Sequence, residues 1–159
     1  GRQGCFEAIC GVRAVLERAK ALIPEETFLK CGIPKDRLKL EELITSPLAN
    51  CPEAQQLIEE TGRFVGILVA NLVSLLNPGT IILGGELSAL GDRLLKAVKA
   101  EVETRVLDEL QGTVSIQISN IRGSAPLMGA YTLALERIFS LEEWDRRQTK
   151  PSTAYRASS

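Results

Sequence analysis

Four residues have a type and a position from which chemistry could be built. They are Cys5 and Glu7 near the start, and the Gly84-Gly85 pair that follows the apolar run Ile81-Ile82-Leu83. Glycines at the carboxyl end of a buried strand let a nucleotide or a sugar approach main-chain N–H groups closely. The same pair can also do no more than turn the chain, and the local pattern allows both readings. Neither GxGxxG nor GxxxxGK[ST] occurs, so the two commonest phosphate-cradling loops are excluded. Cys5 taken alone reads as a small buried hydrophobe, and Glu7 as a surface charge favoured by the first turn of a helix. His is absent, which removes the commonest general base and metal ligand. A His-dependent triad or zinc site would have to borrow residues from outside this chain. Cys10, Cys31 and Cys51 form no CxxC pair with each other or with Cys5. They are expected to be reduced thiols without a chemical role, as in a cytosolic protein. The acidic pairs Glu25-Glu26, Glu41-Glu42, Glu59-Glu60 and Glu142-Glu143 have basic neighbours and read as solvated faces, not as acid/base pairs.

The elements that must position these residues follow from periodicity. Gly1 to Cys5 is a Gly-punctuated loop or turn. Ile9, Val12, Leu16 and Ala19 mark one face of a helix from Phe6 to about Ala21. Pro24, Gly32 and Pro34 break the pattern, so residues 22–37 are expected to hold little regular structure. A short helix over Leu38 to Ile44 ends before Pro47. Pro52 suits the first turn of a long helix, which Asn77-Pro78 ends. That helix starts amphipathic and becomes apolar nearly all round, so it is expected to be buried on all faces. Gly62 and Gly66, four apart, lie on one side of it and let another element approach closely.

Thr80 to Leu83 is expected to be an interior strand covered on both faces. Gly91-Asp92 opens a helix carried by Leu94, Leu95, Val98, Val102, Val106 and Leu110, and Gly112 stops it. Val114 to Ser119 alternates as a strand with one polar face. The last helix runs from Ala125 to about Phe139, and residues 140–159 read as a frayed or disordered tail. The strands at 80–83 and 114–119 with a helix between them make one βα-β unit, which sets the class as α/β.

The chain has 159 residues, 45% of them apolar and 25% charged, with a formal charge of −1. These values fit a globular protein with a substantial core and argue against a nucleic-acid-binding surface, which carries a basic excess. No secretory leader is read at the start. The run Phe64 to Leu76 is shorter than the ~20 residues of a membrane span, so no membrane contact and a cytoplasmic location are expected.

Three segments, in order and in register, resemble the ROK family of bacterial sugar kinases and sugar-responsive transcriptional repressors. Gly1-Arg2-Gln3-Gly4-Cys5-Phe6-Glu7-Ala8 looks like the end of that family's C-x-C-G-x-x-G-C-x-E motif. Leu72-Val73-Ser74-Leu75-Leu76-Asn77-Pro78 with Ile81-Ile82-Leu83-Gly84-Gly85 looks like its N-L-x-N-P…I-x-L-G-G core. Ser119 to Ala130 looks like its closing S-x-L-G-x-x-A-x-x-G-A segment, with Ile121-Arg122 in place of a frequent Leu-Gly. The resemblance implies an α/β fold of the actin and hexokinase (ribonuclease H-like) type. Residues 1–139 would be the carboxyl-terminal lobe of a two-lobed protein.

In that frame Glu7 would hydrogen-bond sugar hydroxyls, and Gly84 and Gly85 would lie under the adenosine of ATP in kinase members. Cys5 would be the last cysteine ligand of a structural zinc whose other ligands lie upstream. The family's catalytic Asp, first phosphate loop and winged helix-turn-helix precede the matched region. The fragment alone is therefore expected neither to phosphorylate sugar nor to bind DNA. The parent protein is expected to be a repressor, with a sugar ligand, a homo-oligomeric state, and DNA bound only through an upstream domain. The alternative is an ATP-dependent sugar kinase, in which ATP and magnesium enter as cofactors.

Overall fold

The computed structural model describes residues 5–110, 112–121 and 125–139. They fall into two units, one ending at 123 and the other beginning at 124. Residues 1–4 of the expected opening loop and the expected tail at 140–159 lie outside the described residues.

The single helix expected over Phe6 to Ala21 is two: α1 (Phe6–Cys10) and α2 (Val12–Leu22), divided at Gly11. Gly11 is extended; its N–H closes α1 on the Glu7 carbonyl (2.9 Å), and its own carbonyl accepts from Val15 N–H (3.0 Å) to start α2. The stretch expected to be irregular contains a helix, α3 (Glu25–Cys31). Its breakers bracket it. Pro24 is the extended residue before it, and Gly32 closes it in the left-handed region at φ 67°. Gly32 N–H bonds to Leu29 O and Ile33 N–H reaches Phe28 O (3.1 and 3.2 Å), the paired closure of a Schellman motif. Glu25 and Glu26 in the first turn and Lys30 in the last favour the helix dipole. The short helix expected at Leu38 to Ile44 is displaced to α4 (Glu42–Thr45).

The long helix α5 spans Pro52–Leu76, with the proline in its first turn. Asn77 ends it in the left-handed region at φ 41°, donating its N–H to Val73 O at 2.8 Å. The first half of α5 is the centre of the core. Leu57, Ile58, Thr61 and Val65 are buried there with Val15, Ala19, Phe28, Leu43 and Leu48 from the preceding elements. Thr61 is the only buried polar residue among those described, and it satisfies its hydroxyl on the Leu57 carbonyl (2.7 Å).

The main packing partner of α5 is α6 (Gly91–Arg105), seated on it through Leu94, Val98 and Val102. Gly62 and Gly66 make this approach possible, as their spacing predicts. A Cβ at Gly62 would lie 2.4 Å from Ala97 Cβ, and one at Gly66 would lie 2.6 Å from Glu101 Cβ. Helix α6 ends at Arg105, before Val106 and Leu110, which follow in extended and 3₁₀ segments.

β1 (Thr80–Leu83) and β2 (Ser115–Ile118) pair in parallel, with Thr80 opposite Ser115 and Leu83 opposite Ile118. Helix α6 is the crossover between them, so the expected βα-β unit is present. Ile116 is buried, while Ser115 and Gln117 face out, as the alternation predicts. Two expectations are corrected. The strand β1 is not covered on both faces, because Ile82 is 65% exposed. Nor is α5 buried all round: Phe64, Leu68, Leu72, Leu75 and Leu76 form an exposed stripe along it. In both cases the described residues supply packing on one side only.

The described residues of the second unit, taken by themselves, form the helix α7 (Ala125–Phe139), with the bounds the sequence predicts. It carries Leu127, Met128, Tyr131, Leu133, Ile138 and Phe139 as large apolar side chains, and Thr132 Oγ1 donates back to the Met128 carbonyl at 2.9 Å.

Candidate functional site

At the carboxyl end of β1, Leu83 O accepts Ser119 N–H at 2.8 Å, the last rung that joins the two strands. The chain then leaves the sheet through Gly84 and Gly85. Gly85 adopts φ 81° with ψ −174°, a combination essentially restricted to glycine. No atom lies within 4 Å of a Cβ built on Gly85, and the nearest to one on Gly84 is Ser119 Cβ at 3.9 Å. Both residues are exposed, and among the described residues their N–H groups have no hydrogen-bond partner. The Gly85 carbonyl is turned away into the 3₁₀ segment Glu86–Leu90, where Ser88 donates to it from N–H (3.1 Å) and from Oγ (2.6 Å). The glycine pair therefore turns the chain and also leaves two main-chain donors open where parallel α/β sheets bind ligands.

Cys5 is the extended residue before α1, exposed and with a free thiol. No group of three His, Cys, Asp or Glu side chains able to hold a metal occurs among the described residues. A closed zinc site needs four N/S ligands, so the described residues do not make one around Cys5. Glu7 lies in the first turn of α1, exposed, with no ion pair or hydrogen bond to its carboxylate among the described residues. Cys5 and Glu7 thus share the start of α1. No hydrogen bond or ion pair between described residues links them to Gly84-Gly85.

The environments of the two buried thiols, Cys10 and Cys51, disfavour their thiolates. Burial pushes the Cys10 thiol up, and the charge of Arg18 offsets this only in part. Burial, and then the Glu53 carboxylate that its S–H meets, push Cys51 up as well.

One feature escapes sequence reasoning. A groove of about 1470 Å³ runs between α1, α2, α5 and α6, with Arg18, Arg63, Phe64, Arg93, Lys96 and Glu101 among its lining residues. Arg18 bridges α2 to α5 through an ion pair with Glu60, whereas Arg63, Arg93 and Lys96 have no ion pair among the described residues. Arg93 and Lys96 stand three apart on one helix face, but only the packing of α5 on α6 brings Arg63 to them.

A parallel βα-β unit with open backbone at its strand end is a place where α/β proteins commonly bind ligands, and comparison with known proteins shows the family. The ROK family model matches residues 1–137, and the chain belongs to the ROK family. It is 24% identical over 146 residues to a glucokinase of Halalkalibacterium halodurans, covering 90% of this chain and 44% of that one. It is also 24% identical over 147 residues to the xylose repressor of Caldicellulosiruptor bescii, covering 91% and 37%. Among solved structures it resembles a ROK family glucokinase from Streptomyces griseus in complex with glucose and AMPPNP. That match has a TM-score of 0.70 at 25% identity, over 84% of this chain and 45% of that one. The fold is of the actin and hexokinase type. The chain spans less than half the length of these relatives. Among the described residues no helix is long and apolar enough to cross a membrane.

Proposed function

We propose that this chain forms one wall of a sugar-binding cleft in a sugar-responsive transcriptional repressor, where it serves as half of the ligand sensor and as part of the oligomer interface. The observation that carries the reading is the Glu7 carboxylate, exposed and unpartnered at the start of α1. A carboxylate with free lone pairs is an acceptor suited to sugar hydroxyls, and hydrogen bonds to charged groups contribute about 1.5–3 kcal/mol each. The stripe Phe64, Leu68, Leu72, Leu75 and Leu76 supports the assembly role, because an exposed apolar stripe of this length marks an interaction surface. DNA would be held by a separate domain of the longer protein, since this chain has no basic excess.

The test uses the full-length protein with glucose and xylose as probes. Either sugar should weaken its hold on operator DNA in a mobility-shift titration, with no ATP-dependent phosphorylation of the sugar. Glu7→Ala should weaken sugar binding by about 10- to 100-fold in calorimetry, the equivalent of one charged hydrogen bond, without lowering thermal stability. An unchanged affinity removes Glu7 from the site.

A second reading, an ATP-dependent sugar kinase, is favoured by the open N–H groups of Gly84 and Gly85 and by the likeness to a glucokinase bound to glucose and AMPPNP. Gly84 and Gly85 would then lie beneath the adenosine, and magnesium would sit on the phosphates. Turnover of glucose or xylose with ATP by the full-length protein decides for the kinase. In either reading, Cys5 would contribute one thiolate to a structural zinc completed by ligands from the longer protein.

A further inference from the structure

Gly11 is not required by its own backbone. Its φ of −62° and ψ of 150° are open to any residue. What excludes a side chain is Glu7. A Cβ on Gly11 would lie 2.4 Å from the Glu7 carbonyl oxygen, 2.8 Å from Glu7 Oε1 and 3.1 Å from Glu7 Cδ. The carboxylate leans back over the α1–α2 junction into the space that the missing side chain leaves. The same glycine donates its N–H to the Glu7 carbonyl at 2.9 Å, which fixes the backbone from which that side chain departs. No ion pair or hydrogen bond among the described residues holds the carboxylate. Shape is therefore the constraint these residues place on its direction.

We infer that Gly11 is a positioning residue for the Glu7 carboxylate: it sets where the sugar-binding oxygens stand by leaving one of them room beside the helix break. This inference rests on the proposed contact between Glu7 and sugar. Gly11 has no side chain to offer a ligand, so its role runs through Glu7. A methyl group at position 11 would rotate the Glu7 carboxylate away, push the Glu7 carbonyl off its bond, or both. A carboxylate moved off the sugar loses at most what Glu7→Ala loses, about 10- to 100-fold in affinity.

The experiment is a double-mutant cycle in the full-length protein, read by calorimetric titration with whichever of glucose and xylose binds the wild type. Gly11→Ala is expected to weaken binding at least about tenfold in the wild-type background and to add nothing in a Glu7→Ala background. An equal loss in both backgrounds overturns the inference, since a general disturbance of α1 does not depend on the Glu7 side chain. Full affinity in Gly11→Ala overturns it too. Should Gly11→Ala not fold, Glu7→Asp decides: the shorter side chain withdraws the carboxylate from Gly11, and wild-type affinity in that variant overturns the inference. The two levels fail differently. If Glu7→Ala itself binds sugar normally, the sugar contact is refuted, and the positioning role falls with it. If only the Gly11 arm is silent, the sugar contact stands alone.

Discussion

The two ends of α5 are built from similar residues and behave in opposite ways. At the amino-terminal end Leu57 is fully buried, and the glycines at 62 and 66 are filled by α6. At the carboxyl-terminal end Leu75 is 82% exposed, and the helix runs into a strand that closes with another glycine pair, around which there is open space. Leucine and glycine carry no fixed meaning. A glycine whose missing Cβ is replaced by a neighbour's side chain serves packing. A glycine with positive φ and nothing beside it serves the backbone, and leaves that backbone accessible. The closed end gives the chain its stability; the open end is the part free to meet something else.

That contrast can be broken most directly with one substitution made twice. Leu57→Ala should cost about 2–5 kcal/mol, as fully buried leucines do, whereas Leu75→Ala should stay within about 0.5 kcal/mol. Urea unfolding monitored by circular dichroism measures both, and equal effects would erase the distinction between the ends. Next in size is Gly85→Ala, expected to cost about 1–3 kcal/mol from backbone strain alone. Gly84→Ala, whose new methyl would make ordinary contact with Ser119, should be nearly silent in stability. A large effect at Gly84 would mean the strand end is packed and not open.

The smallest effect concerns the first turn of α5. The Cys51 thiol holds the Glu53 carboxyl below its ordinary pKa. A depressed folded-state pKa adds stability that is fully present above the unfolded value and is lost as the pH falls through the folded one. Glu53→Gln should flatten that acid limb in a series of urea midpoints by removing the small stabilisation present at neutral pH, so that the two proteins differ there and converge in acid.

Much of the helical frame was legible because its signals are local. Pro52 in the first turn of α5, Asn77-Pro78 at its end, the spacing of Gly62 and Gly66, and the alternation of β2 each act within a few residues of where they stand. The Gly11 break was hidden because Ile9, Val12, Leu16 and Ala19 keep helical spacing straight across it. Helix α3 is hidden for a different reason: Pro24 and Gly32 read as breakers of a loop, yet they are the start and stop of a helix. The stripe on α5 and the exposed face of Ile82 are not legible in the sequence, because an apolar residue shows that it wants cover and not which part of a protein supplies it. Of the candidate site, the strand-end glycines could be found by local pattern. Glu7 and Cys5 could not, since one carboxylate and one thiol at a helix start look like any others until a family resemblance singles them out.

The parallel pairing of Thr80 with Ser115 also bears on the order in which this chain assembles. Two antiparallel strands can meet through a short turn, but parallel neighbours require a crossover to be laid down first. Here that crossover is α6, and α6 has its place only once Gly62 and Gly66 have received it. Closing so long a connection costs entropy before any rung of the ladder repays it. The helical hairpin should therefore form early and the two strands should join late. Pulse-labelled amide exchange during refolding should find Ser119, bonded to Leu83, protected after the amides of α5, and the reverse order would refute this sequence of events. The strand end that presents the open glycines is then the last part of the lobe to take shape, on a scaffold that is already closed.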